Sequence, residues 1–269
     1  MFSSPSTVTD NAPFSTMDGL AGSTKVANHR GVPAIAGRRV LYTMHRRLLS
    51  IGLLASLVPF APAGAGGAFR TPVLPEVKQH LADGWACVSS NPNMARAHAM
   101  AVLVSENLSV QIELDQVPAS RRTACRTAID DALQAWEKAL GDGIRLRRLE
   151  DGQKSGIVVR FKPDVRERGE PVAGYVNWKR VAGKDGGSVT GDIQVRTMNI
   201  DGAPMSGRAM KNIVVHEMGH MLGLDDTDRR GEAMSPLDPN RPVSAPSDDE
   251  ANAVRSLRLE ATNLLNDAR

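Results

Sequence analysis

Alternation is the first regularity after the leading seventy residues. Leu108, Val110, Ile112 and Leu114 alternate with Ser109, Gln111, Glu113 and Asp115, the period of a strand with one buried face. Past Pro118 the period changes: Cys125, Ile129, Leu133, Trp136 and Leu140 recur every three or four residues, which predicts one helical face. Ser120 is placed to cap that helix and Gly141 to end it. Apolar runs at Ile144–Leu149 and Ile157–Phe161, a looser Tyr175–Trp178 and a longer Val189–Met198 predict four more strands. A helix follows, opened by Ser206 as cap, with Met210, Ile213 and Val214 as its apolar contacts. Four prolines between 236 and 246 mark an irregular stretch. Ser247-Asp248-Asp249-Glu250 then forms a capping box, after which Val254, Leu257, Ala261 and Leu264 continue one face. The order is strand, helix, four strands, helix, with a closing helix. This is an α+β domain over residues 106–269. Residues 66–105 are mixed, with Pro72 and Pro75 early, and read as an N-terminal strap or a short pro-segment.

The helix opened by Ser206 carries His216-Glu217-Met218-Gly219-His220. Histidines four apart project from one side of a helix, so both imidazoles can reach one zinc ion at roughly 2.0–2.1 Å. Glu217 stands beside the first, where a carboxylate can act as general base toward water on the ion. Gly223 can end the helix with positive φ and let the chain double back, which brings Asp226 toward the metal as a third ligand. Asp225 and Asp228 are neighbours that could take this place, although turn capping is their ordinary role. His80 and His98 read as packed or surface residues.

The full pattern, H-E-x-x-H-x-x-G-x-x-D, resembles the metzincin signature with Asp in place of its last His, a variation known in the snapalysin-like branch. Gly231-Glu232-Ala233-Met234-Ser235-Pro236 resembles the methionine turn of that clan. The resemblance implies a twisted mixed five-stranded sheet, with an active-site helix and a C-terminal helix. It implies that Met234 forms a floor beneath the histidines, and that Gly174–Lys179 is the antiparallel edge strand binding an extended protein or peptide substrate. Gly191-Asp192-Ile193 also resembles the strand preceding the active-site helix in matrixins, but the neighbours of that family's structural metal sites are missing, so no metal is assigned to Asp192.

Charge adds little once located. Residues 1–68 carry six of the 33 Lys/Arg and two of the 30 Asp/Glu, so the remainder is close to neutral and shows no nucleic-acid footprint. Residues 44–65 have a signal peptide's form: Met44-His45-Arg46-Arg47, an apolar run from Leu48 to Phe60, and small residues at Ala61–Ala65. The run is short for a membrane-spanning helix. Residues 1–43 read as a disordered extension, or as the product of a start codon placed too early. Export to a secreted or periplasmic location follows, without a membrane anchor in the mature form. In such a chain the two cysteines, Cys87 and Cys125, are expected to pair; Cys87 as a thiolate latch on the zinc, and a buried Cys125 thiol, are the alternatives.

Together these readings predict a monomeric, secreted, zinc-dependent endopeptidase. One catalytic ion is held by His216, His220 and Asp226, and Glu217 is the general base. The alternatives are a non-catalytic zinc-stabilised binding domain, against which the intact Glu217 speaks, and a hydrolase of non-peptide amides.

Overall fold

The computed structural model describes residues 71–103, 106–141, 144–150, 152–238 and 240–269. The extension at 1–43 and the signal peptide at 44–65 lie outside the described residues. So do residues 66–70 of the strap.

The alternating segment is strand β1 (Asn107–Glu113) and the long amphipathic segment is helix α3 (Ala119–Leu140). Strands β2 (Arg145–Arg148) and β3 (Ile157–Lys162) flank β1, both parallel to it. Strands β6 (Gly174–Gly183) and β7 (Gly186–Arg196) form an antiparallel hairpin whose second arm pairs with β3. The sheet order is therefore β2-β1-β3-β7-β6, mixed and five-stranded, and β6 lies at its edge. Between β3 and β6 a second, two-stranded sheet pairs β4 (Arg166–Glu167) with β5 (Glu170–Pro171). Its turn places Arg168 and Gly169 at positive φ, the backbone of a tight type I′ connection.

One sheet face is apolar because the inward positions are Leu108, Val110, Ile112, Ile157, Val159, Phe161, Ile193 and Val195. Helix α3 and helix α4 (Gly207–Met221) pack with them into one core. The Trp136 indole N–H donates to the Val215 carbonyl at 2.9 Å, which ties α3 to α4 just before the histidine motif. On the outer face Arg160 pairs with Glu113 at 2.7 Å and with Asp192, so Asp192 serves an ion pair across three strands. Helix α5 (Asp248–Asp267) closes the domain behind its capping box.

Three expectations change. Helix α3 is capped by Pro118 without a side-chain bond, two residues before the expected Ser120. The edge strand runs four residues past Lys179, because Arg180 to Gly183 continue the ladder with β7. The strap is a helical hairpin, α1 (Pro75–Cys87) and α2 (Pro92–Val102), each with proline in its first turn, where the missing N–H costs nothing. Val73, Leu74, Val77, Leu81, Ala95, Ala99 and Val102 of this region bury together with Leu257, Ala261 and Leu264 of α5.

The expected disulfide is absent. Cys87 and Cys125 are both free thiols: Cys87 borders the cluster around α1 and α2, whereas Cys125 is buried in α3 against the Met210 sulfur. They belong to different packing clusters. Cys125, the buried thiol, is held above its usual pKa by desolvation, which makes it a poor nucleophile.

Candidate metal centre

Helix α4 opens with the Ser206 hydroxyl accepting from the Ala209 amide at 3.1 Å and brings its buried C-terminal half beneath the sheet's edge. His216, Glu217 and His220 all lie there, buried. Past Met221 the chain turns at Gly223, φ 102°, a conformation costly for any residue with a Cβ. Asp226 then returns to the histidines, with Oδ1 3.3 Å from His216 Nε2 and 3.5 Å from His220 Nε2. The turn anticipated at Gly223 thus delivers the anticipated third residue. Asp225 is spent on the turn itself, its Oδ1 accepting from the Asp226 amide at 3.0 Å, and the exposed Asp228 lies outside the cluster.

These three residues fit a metal ion. His216 Nδ1 is 2.8 Å from the Ala233 carbonyl and His220 Nδ1 is 3.0 Å from the Leu224 carbonyl. A carbonyl only accepts, so both Nδ1 atoms carry the proton and both Nε2 atoms offer a lone pair. His216 Nε2 is buried and has only the Asp226 carboxylate facing it among the described residues. The 3.3 and 3.5 Å separations match the edge of about 3.4 Å expected when ligands about 2.1 Å from one ion are tetrahedral. Among the described residues His216, His220 and Asp226 are the one group of histidine, cysteine or acidic side chains so arranged; the thiol of Cys87 does not join it.

Electrostatics mark the same place. Burial pushes the Glu217 carboxyl up to about 8, reinforced by Asp226 and Glu167 and opposed by His216. Neither of its oxygens has a hydrogen-bond partner. Burial works against charge on His216, but Asp226 and Glu217 outweigh it and hold its pKa above the usual value. A site that keeps a carboxylic acid unpaired beside two imidazoles and an aspartate is suited to positive charge.

What holds the segment around Met234 was not legible. Met234 is fully buried beneath α4, its sulfur so close to Gly219 that a Cβ there would collide with it. The Glu250 side chain, also fully buried, reaches back from α5. Its Oε1 accepts from the Met234 amide at 2.7 Å, and its Oε2 from Ala233 at 3.2 Å and Ser247 at 2.7 Å. Because Ala233 also accepts from His216, the Glu250 carboxylate orients a histidine through one peptide group. The capping-box pattern pointed to Glu250, but only for its bond to Ser247.

Alternate residues of β6 follow α4 along its motif. Gly174 abuts Glu217: a Cβ at 174 would come 2.7 Å from Glu217 Oε1 and collide with Ile213. Trp178 stacks on the His220 ring, centroids 5.4 Å apart and 21° from parallel, and donates to Glu76 of α1. Arg180, with its side chain 1% exposed, donates to carbonyls at the ends of both α4 and α2. Burial draws its pKa down to about 10, still high enough to keep its charge at neutral pH. An indole facing the core was the available signal for Trp178; nothing in the sequence marks Arg180.

No curated protein matches the chain. The matrixin family model matches residues 104–258, more than half of the chain, spanning the sheet, α4, the methionine turn and the opening of α5. With a mixed five-stranded sheet carried on the same stretch, the chain belongs to the matrixin family, metallopeptidases of the metzincin clan.

Proposed function

We propose that this matrixin is an exported, monomeric zinc endopeptidase in which His216, His220 and Asp226 hold the ion and Glu217 is the general base. The observation that carries the reading is the Glu217 carboxyl, buried without a partner beside the three candidate ligands. Such a group destabilises the fold around it and is kept where chemistry needs it.

Zinc bound there would supply an activated water and a Lewis acid for the peptide carbonyl. Glu217 takes a proton from the attacking water and returns it to the departing amine. Its carboxylate lies against Gly174, where any Cβ would crowd it and Ile213. The Ala233 and Leu224 carbonyls fix both imidazoles in one tautomer and orientation, so the Nε2 atoms stay directed at one point. Asp226 adds negative charge to the ligand set, which makes the metal a weaker Lewis acid than a three-histidine site.

The substrate is an extended peptide added to the free side of β6 at Gly174–Lys179. The edge position of this strand and the approach of its first residue to Glu217 support this reading, since an unpaired edge binds a chain through main-chain hydrogen bonds. Among the described residues no helix is long and apolar enough to cross a membrane, and the 44–65 segment supports export. Nothing in the charge pattern suggests nucleic acid as a partner.

The test is mapping of new amino termini after incubation with an unfolded protein substrate. Internal amide cleavage by the parent and none by Glu217→Gln, with zinc retained in both, is expected. Zinc in both with no new termini from either would contradict the peptidase reading and favour a binding domain.

A further inference from the structure

We propose that Arg180 is a positioning residue that fastens the α1–α2 hairpin to the metal-binding helix, making the hairpin a retained part of the catalytic unit rather than a segment removed on maturation. The proposal rests on the reading of His216, His220 and Asp226 as metal ligands.

Both α2 and α4 end at the Arg180 guanidinium. One terminal nitrogen donates to Ala101 and Val102 carbonyls at 3.0 and 3.4 Å, the other to Met221 and His220 carbonyls at 2.7 and 3.4 Å. Carbonyls in a last helical turn carry the negative end of the dipole; that of His220 also accepts from the Gly223 amide at 3.0 Å. A buried cation with a planar fork serves two such ends at once, which the single ammonium of lysine cannot reproduce. Glu76 Oε1, 3.7 Å from the Arg180 Nε, adds α1 to the same junction. One of the carbonyls belongs to His220 itself, so a displaced Arg180 is felt at a metal ligand.

A second tie bears on the loop between His220 and Asp226. Leu74 donates to the Gly223 carbonyl and Asp225 donates to the Pro72 carbonyl, each at 3.0 Å, and Val73 bridges Leu224. The Leu224 carbonyl in turn faces His220 Nδ1. The segment leading into α1 thus forms a backing strand for the peptide that orients one ligand and delivers another.

Burial points the same way. Removing residues 71–102 would uncover Leu257, Ala261 and Leu264 of α5, each 2% exposed or less, and would leave the carbonyls of α4 without Arg180's counter-anchor. A segment designed to leave should part from a polar surface; this one is continuous with a core.

The test uses the full chain carrying Arg180→Met or Arg180→Lys. Zinc dissociation constants are measured by competition with a chromophoric chelator, and circular dichroism of the metal-free forms reports folding. Loss of an interaction that orients a metal ligand typically costs about 10–100-fold in metal affinity. We expect that range for Arg180→Met, partial recovery in Arg180→Lys, and a mature protein whose amino terminus precedes Pro72. Zinc affinity of folded Arg180→Met within about twofold of the parent would overturn the proposal, as would a mature chain beginning after Val102 with parental affinity. If Arg180→Met fails to fold, Arg180→Lys decides: at least fivefold weaker zinc supports the proposal and unchanged affinity overturns it. A parent that binds no zinc would refute the metal reading instead. Arg180 would then be judged by amide exchange at residues 221–226 of the metal-free protein, where acceleration in Arg180→Met supports its role and unchanged exchange overturns it.

Discussion

Glu250 offers the sharpest test of how the methionine turn is held. Its carboxylate accepts three backbone N–H groups, two from the turn and one from its own helix cap. Glu250→Ala strands all three donors. The Ala233 and Met234 amides are buried, and an unsatisfied buried donor costs about 1–3 kcal/mol. The Ser247 amide is only partly buried, so water can replace part of its bond. The expected loss is therefore about 4 kcal/mol, a large share of the 5–15 kcal/mol typical of a folded domain. Glu250→Gln should lose about half as much, because its carbonyl serves one side while its NH₂ opposes a donor on the other. Asp249→Asn is the control: Asp249 meets the partly exposed Arg229 at 3.1 Å, and its loss should cost under about 1 kcal/mol. Urea unfolding of the metal-free proteins at one pH measures all three. A Glu250→Ala loss below about 1.5 kcal/mol would refute the argument that this carboxylate anchors the turn.

Other expectations follow from the same geometry. Gly174→Ala forces a Cβ against Ile213 and Glu217; overpacking of this kind costs about 1–3 kcal/mol, so peptide turnover should fall by at least about tenfold with zinc content unchanged, and parental turnover would show that Glu217 is not crowded. In the metal-free protein Glu217 has a folded pKa of about 8, above the unfolded value of about 4.3. Stability is thus fully present below the unfolded value and is lost as pH rises through the folded one, by a few kcal/mol at most. Glu217→Gln should therefore flatten the fall in metal-free stability between pH 5 and 8, as read by urea midpoints, and an equally steep fall in the variant would contradict the assignment. The free Cys87 and Cys125 predict two titratable thiols per unfolded chain without reductant; none would restore the disulfide.

What could be read from the sequence divides along physical lines. Helix α4 was legible because a cap, a four-residue histidine spacing and a glycine terminator are all local signals. Asp226 followed, since a positive-φ turn three residues before it determines where the chain goes. Strand β1 was legible from alternation and β3 from an apolar run, whereas β6 looked loose because its inward positions, Gly174, Val176, Trp178 and Arg180, answer to α4 and α2 rather than to a uniform core. Helices α1 and α2 were missed for a related reason. Pro75 and Pro92 both stand in a first turn, and α2 buries mostly alanines, which leave little apolar contrast. Glu250 shows the limit of motif reading: the capping box identified its local bond, but its bonds to Ala233 and Met234 cross sixteen residues or more and depend on the packed fold.

The most direct test of the account is zinc content per chain, measured together with internal peptide-bond cleavage, for the parent and Glu217→Gln. One zinc in each, with cleavage by the parent alone, is the predicted result. A parent that cleaves with no zinc bound, or a Glu217→Gln variant that cleaves as fast as the parent, would contradict it.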